Sequence, residues 1–466
     1  MYTPIEKGRL LRSTILAGLA VASLSGAPVF AQDAEQIPEQ AEDDAEPETG
    51  DRIVVTGSRI RRDGFNSEIP LDVFTADEAA LEGNVDIADF LQSATVAAGS
   101  AQVTSATSSQ FVQNGGTGVE TLSLRGLGAN RTLVLLNGRR AGPAGVRGGV
   151  SAFDLNVIPL AAIERVEVLK DGASSIYGSD AVAGVVNIIT RQEEGGTVDG
   201  FISVPGDGAA EQYRLSGSYG WEFDRGGFRV TLDAFQQREL AQGDRDYFSC
   251  GEPYVFNNDG SRADLIDPRT GSYSCEDLYW GHVWVYDYAP FFGDGTTNLP
   301  LQRPRLIQYD YDGSLAANGL TPIGTSHANP FWFTAPTDDW FLVDPRVPEQ
   351  RALVNYDHPF QDESSMVPET ERYTVFADGH FDVTDSIELY GEALLNRRET
   401  YVNAYRQYWI YMYNGEDLWG AYPDPFAAGW GGMNELSPTP ITDHNDSSVS
   451  IDYQRFVAGL RGDTLF

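Results

Sequence analysis

The chain of 466 residues is poor in basic side chains, cysteine and histidine, and each shortage removes a class of function. Only 32 Lys and Arg stand against 68 Asp and Glu, for a formal net charge of -36. Nucleic-acid binding needs a basic patch to neutralise phosphates, so that class is excluded. The five histidines are scattered, with no H-x-x-x-H or H-E-x-x-H pair, which argues against a metallohydrolase. Gly126-Leu127-Gly128 lacks the third glycine of a dinucleotide fingerprint, and no G-x-x-x-x-G-K-S/T occurs. No catalytic constellation, resident metal or cofactor is therefore expected. Beyond the N-terminal region no run of about 18 apolar residues exists, so no helix spans a membrane. That test is silent about β-barrels, whose strands alternate polar with apolar residues and so contain no long apolar run.

Residues 1–31 have the make-up of a secretory signal, with a basic start at Lys7, Arg9 and Arg12, an apolar stretch over 15–24, and Val29-Phe30-Ala31 where a signal peptidase would cut. A short buried helix is the alternative. Residues 32–50 carry eight acidic side chains and neither a basic nor an aromatic one. Such a segment cannot bury enough apolar surface to offset its ordering entropy, and we expect a disordered tether. DRIVVTGSRI comes next, where Ile53, Val54 and Val55 form a β-branched run that is either a free extended segment or the first strand of the adjoining domain.

Two glycine-punctuated segments dominate residues 121–191: TLSLRGLGANRTLVLLNGRR and IERVEVLKDGASSIYGSDAVAGVVNIITR. In each a β-prone run closes on a dipeptide, Asn137-Gly138 or Asp171-Gly172, of the kind that supplies positive φ angles to tight turns. Upstream, 71–74 reads as a strand, Thr75-Ala76-Asp77-Glu78 fits a capping box that opens a helix, and 84–93 reads as a second helix burying Ile87, Phe90 and Leu91. Residues 100–118 are small and polar, the composition of a loop.

These motifs, in this order, resemble the plug domain of TonB-dependent outer-membrane receptors: Arg125-Gly126, Asn137-Gly138-Arg139, Glu164-Arg165 within IERVEV, Tyr177-Gly178, and Asn187 in AGVVN. The resemblance implies an α+β plug over 60–195, followed by an antiparallel transmembrane β-barrel over 196–466. It implies an importer rather than an enzyme. It also implies that Ile53, Val54, Val55 and Thr56, within 51–59, act as the TonB box, adding a strand to a TonB-type energy-transducing protein. Strand addition needs only a free extended backbone with modest side-chain selection. The implied partners are that protein, outer-membrane lipid of a Gram-negative bacterium, and an extracellular ligand of siderophore, carbohydrate or peptide class. The arginines Arg125, Arg139, Arg140 and Arg165 are expected to pair with carboxylates across the contact between plug and barrel wall.

From residue 197 the pattern becomes long alternating strands: 197–204, 212–221, 227–239, 371–382, 386–402 and 449–461. Phe228, Val230, Leu232 and Ala234 share one face, while Arg229, Thr231 and Asp233 share the other. Arg372, Thr374, Asp378 and His380 repeat the polar face on the fourth strand, and Glu388, Glu392 and Asn396 on the fifth. An apolar face toward lipid and a polar face toward a wet lumen is the outer-membrane pattern, with short turns on one side and long loops on the other. Plugged transporter barrels have about 22 strands. Six strands make a partial wall with two unpaired edges, so this polypeptide is expected not to insert and transport alone.

The long connection over 240–370 holds Cys250 and Cys275, expected to form one disulfide closing a loop of about 26 residues and worth roughly 3 kcal/mol, free thiols being the alternative. Its aromatics, among them Trp280, Trp284, Trp332 and Trp340, suit ligand capture or simply fold the loop. Two other readings stay open: a secreted carbohydrate-binding or hydrolytic β protein, and a plug fragment that does not transport.

Overall fold

The computed structural model describes residues 71–143, 145, 152–286, 305–320, 322, 339–413 and 435–462, apart from 112, 277 and 411. The expected signal, tether and box residues Ile53, Val54, Val55 and Thr56 lie outside the described residues, as does Trp332.

The described residues form three parts. The first is a small α+β unit with a five-stranded sheet of order β1-β4-β5-β2-β3. Its strands are β1 (Leu71–Thr75), β2 (Thr132–Leu136), β3 (Arg139–Arg140), β4 (Ile163–Leu169) and β5 (Gly184–Thr190). Every residue of the TLVLL run in β2 is buried, because the sheet is packed on both faces. Val134 and Leu136 face one cluster with Val166, Val186 and Ile188, while Leu133 and Leu135 face another with Leu169 and Val185.

Helix α1 (Ala76–Leu81) starts on the capping box read from the sequence, with Thr75 Oγ1 accepting from the Glu78 amide and the Glu78 carboxylate accepting from the Thr75 amide. Helix α2 (Ile87–Ser93) is capped by Asp86, and Ile87, Phe90 and Leu91 are buried. The expected loop over 100–118 instead contains a helix, α3 (Ser105–Gln110), started by the Thr104–Thr107 reciprocal cap. Its small polar residues carry no apolar stripe, so periodicity could not reveal it.

The second part is a six-stranded antiparallel wall in which β6 (Gly195–Ser203), β7 (Gln212–Phe223), β8 (Gly226–Gln237), β9 (Glu369–Thr384), β10 (Ile387–Val402) and β11 (Ser447–Gly462) lie side by side in chain order. Two-residue links join β7 to β8 and β9 to β10 at one end; the long connections leave from the other. Burial tracks the alternation. Leu215, Leu232, Val375, Leu395 and Leu460 are exposed on the outward face. Near the short-turn end Tyr219, Trp221 and Phe228 stand out from the same face, with Trp221 and Phe228 stacked at 4.6 Å, as in the aromatic girdles of outer-membrane strands.

The third part was not legible. Segments of the two long connections pair with each other in one sheet, ordered Trp340–Val343, Arg305–Tyr309, His282–Tyr286, Glu435–Pro438, Met412–Tyr413. The resulting lobe has its own core around Leu306, Phe341, Val343 and Leu353. Cys250 and Cys275 are joined by a disulfide, with their Cα atoms 4.9 Å apart. Several of the aromatics pack on one another, Tyr279 against Trp284 at 5.5 Å and against Tyr356 at 4.7 Å, so part of that enrichment folds the lobe.

Candidate functional site

The site is the seam between the first part and the polar face of the wall. Its lower half is built by one turn. Asn137 and Gly138 take φ of 50° and 75°, the two-residue geometry expected of them, and link Leu136 directly to Arg139. Asn187 on β5 fixes the turn by accepting from the Gly138 amide at 2.9 Å. The turn then faces the wall. Glu392 on β10 accepts from Asn137 Nδ2 at 3.0 Å and from Arg139 Nη1 at 2.6 Å, while its second oxygen accepts from Arg455 on β11 at 2.6 Å. Arg139 also lies 4.2 Å over the Tyr390 ring.

The upper half inverts the expected polarity. Arg398 on β10 donates to Asp154 at 2.5 Å, and both side chains are almost completely buried. Arg372 on β9, equally buried, donates to Asn156 at 2.5 Å, lies 3.6 Å from Asp86, and stacks 4.7 Å over Phe235. Arg214 on β7 donates to the Val85 carbonyl. The cations thus come from the wall and the acceptors from the inner unit.

Of the four arginines expected to cross, only Arg139 does. Arg140 pairs with Asp180 at 2.5 Å, Arg125 donates to the Val182 carbonyl at 2.9 Å, and Arg165 bonds Glu164 and the buried Glu167, all within the same unit. The reason is geometric: Arg125 sits at φ 52° in a turn whose Gly126 amide is tied to Ser100, and Arg165 lies on β4 beside its own acidic neighbours. Tyr177 and Gly178 close the short helix Ser174–Tyr177, with the Tyr177 carbonyl accepting from Arg140. Asp171-Gly172 does not make a positive-φ turn; β4 runs on into that helix instead of folding back as a hairpin.

The residues that sequence reasoning missed are Asp86, Glu120, Asp154 and Asn156. Asp86 and Asp154 are short-range caps, with Asp86 accepting from the Asp89 amide at 3.0 Å and Asp154 from the Asn156 amide at 3.1 Å. Capping types are generic, so only their burial distinguishes them. Arg372 and Glu392 did belong to the polar face read from the alternation, but they meet a packed protein surface rather than a wet lumen. Glu120 is buried, and its carboxyl is pushed well above the usual range, first by burial and then by Asp86 and Asp89.

The seam is not purely ionic. Phe376, Leu394 and Tyr453 of the wall belong to the same apolar cluster as the core of the inner unit. Tyr453 meets the edge of Phe153 at 6.4 Å and donates to the Gly142 carbonyl at 3.2 Å. Among the described residues no group of three or more His, Cys, Asp or Glu could hold a metal ion. Asp310 caps a short helix, accepting from the Leu315 and Ala316 amides.

A compact α+β unit gripped by the polar face of an apolar-backed strand wall defines a plug and part of a plugged outer-membrane barrel. Residues 64–185 match the family model described as TonB-dependent receptor plug domain. The matched residues are the α+β unit, which is a plug domain of the TonB-dependent receptor type. A curated relative, the vitamin B12 transporter BtuB of Photobacterium profundum, is 27% identical over 374 residues, which are 78% of this chain and 52% of the relative. The chain therefore spans about half the length of that relative. Among solved structures, the siderophore receptor PirA from Acinetobacter baumannii is similar at 16% identity and a TM-score of 0.36, covering 87% of this chain and 46% of its own. A ferric enterobactin receptor, PfeA, from Pseudomonas aeruginosa is similar at 15% identity and a TM-score of 0.34, covering 84% and 46%. These relatives are named as transporters and receptors rather than enzymes.

Proposed function

We propose that the chain serves in ligand import across the outer membrane of a Gram-negative bacterium, capturing a ligand at the outer face and delivering it to the periplasm on force supplied by a TonB-type protein. The observation that carries this reading is the seam: a plug held against a polar wall by a few discrete ion pairs, on a wall whose other face is apolar. Discrete charged contacts hold firmly while dry and can be exchanged for water, which suits a stopper that must shift. A ligand drives such a shift only by binding one plug state better than the other. In this reading residues 1–31 export the chain, 32–50 tether it, and Ile53, Val54, Val55 and Thr56 offer the strand that the partner captures.

Proline at Val54 and Val55 together removes two backbone donors from that strand. Capture of the energy-transducing partner in a pull-down should then be lost, with folding of the wall unchanged. Unimpaired capture by the doubly substituted chain overturns the box assignment. The ligand could be of siderophore, carbohydrate or peptide class, and a binding screen on the purified chain decides among them.

A further inference from the structure

At the outer rim of the seam lies a cavity of about 160 Å³ between the plug and the ends of the wall strands. Asp86, Asp89, Ser105 and Glu120 line it from the plug, and Thr370 lines it from β9. Three of the residues that line it each hold a buried oxygen without a hydrogen-bond partner: Glu120 Oε2, Ser105 Oγ and Thr370 Oγ1. Their residues are only 8, 9 and 4% exposed. Native proteins pair nearly all such atoms, so three around one space need a reason.

Local bonding fixes the carboxylate. Glu120 Oε1 accepts from the Ser105 amide at 3.1 Å, and the Glu120 amide is tied to Asp154 at 3.2 Å, which leaves Oε2 with nothing to accept from. The charges around it do not balance. Asp86, Asp89 and Asp154 all act on Glu120, against Arg372. Arg372 is already engaged by Asn156 and Asp86, and Asp154 is taken by Arg398. Glu120 and Asp89 are the acidic excess.

We propose that this cavity is a binding site for a small monovalent cation of the size of a primary ammonium head, entering from the outer side. A primary ammonium carries three N–H donors and no acceptor, and can donate to an ionised Glu120 Oε2 and to the lone pairs of the two hydroxyls. The volume of about 160 Å³ admits a methylammonium-sized group with water, and a quaternary ammonium, which has no N–H, cannot donate to these oxygens. Binding ionises Glu120, so cation and proton compete for the same oxygen. Burial, Asp86, Asp89 and Asp154 favour the proton, and Arg372 opposes it.

The test uses the full chain folded in detergent micelles, at constant ionic strength, in methylammonium, potassium or choline chloride. Amide exchange of α3, which carries Ser105, reports occupancy. At ten times the dissociation constant, methylammonium should slow exchange about tenfold relative to choline. The effect should be larger at about pH 8.5 than at about pH 6, and absent in Glu120→Gln. A response to methylammonium alone identifies an organic ammonium head; a matching response to potassium identifies small monovalent ions in general. Either supports the site. Equal exchange in all three salts, or an undiminished effect in Glu120→Gln, overturns it. Should that variant fail to fold, Thr370→Val removes the wall's oxygen and leaves the carboxyl, and a cation effect of unchanged size in it is equally decisive against the site.

Discussion

Replacing Arg398 by Met should loosen the plug from its wall without unfolding the wall. The arginine donates to Asp154 at 2.5 Å, with 2% and 1% of the two side chains exposed. Removing one member of such a buried pair typically costs about 3–5 kcal/mol, because the remaining charge is left without a counter-ion. Two features of this seam favour the lower end of that range. Asp154 Oδ1 keeps its bonds from the Glu120 and Asn156 amides, and the arginine's own unpartnered Nε and Nη2 are removed with it. A loss of about 3 kcal/mol corresponds to a roughly 150-fold larger opening equilibrium constant, and to amide exchange faster by about that factor. The Leu155 amide, which donates to the Glu120 carbonyl at 2.9 Å, is the reporter, and amides in the β10–β11 pairing are the internal control. Adding Asp154→Asn keeps the acceptor for the backbone but removes the stranded charge, and should bring exchange back to within about 1 kcal/mol of the parent. Parent-like exchange in Arg398→Met, or a double variant as fast as the single one, refutes the argument that this ion pair clamps the seam.

Gly118 makes a second, steric test. It sits at φ +77°, and a Cβ there would collide with the Thr400 side chain of β10, whereas Gly138 at φ +75° has open space around it. Alanine at Gly138 should cost only the backbone term, about 1–2 kcal/mol, and alanine at Gly118 clearly more, measured as the difference in urea midpoints. Equal midpoints would show that the seam yields at that point. A third prediction concerns pH. The Glu120 carboxyl is raised in the folded chain, so between its unfolded value of about 4.3 and its raised value the folded state binds more protons, and stability falls as pH rises through that window. Glu120→Gln should reduce the slope in a pH series of thermal melts, with Asp89, raised by burial to about 7, contributing part of what remains; an unaltered slope would remove Glu120 as a source.

Local grammar was readable in advance where one short stretch supplies all the partners. The Thr75–Glu78 cap closes within four residues, and Asn137-Gly138 adopts its turn because the dipeptide tolerates positive φ by itself. Strand alternation was readable for the same kind of reason, since a period of two needs no knowledge of neighbours. Asp171-Gly172 shows the limit. The same dipeptide chemistry yields to the segment beyond it, where the chain enters the helix Ser174–Tyr177 rather than a returning strand.

The sequence by itself determined the plug motifs and the six wall strands with one oily and one polar face, but neither α3 nor the strands of the outer lobe. Only the tertiary structure decided which charges meet. Arg398 and Asp154 stand 244 positions apart, and nothing local to either marks them as partners. The same holds for the outer lobe, where His282–Tyr286 finds Glu435–Pro438 across the chain. The physical reason is that burial, not residue type, makes a carboxylate or a guanidinium consequential, and burial is a property of the assembled layers.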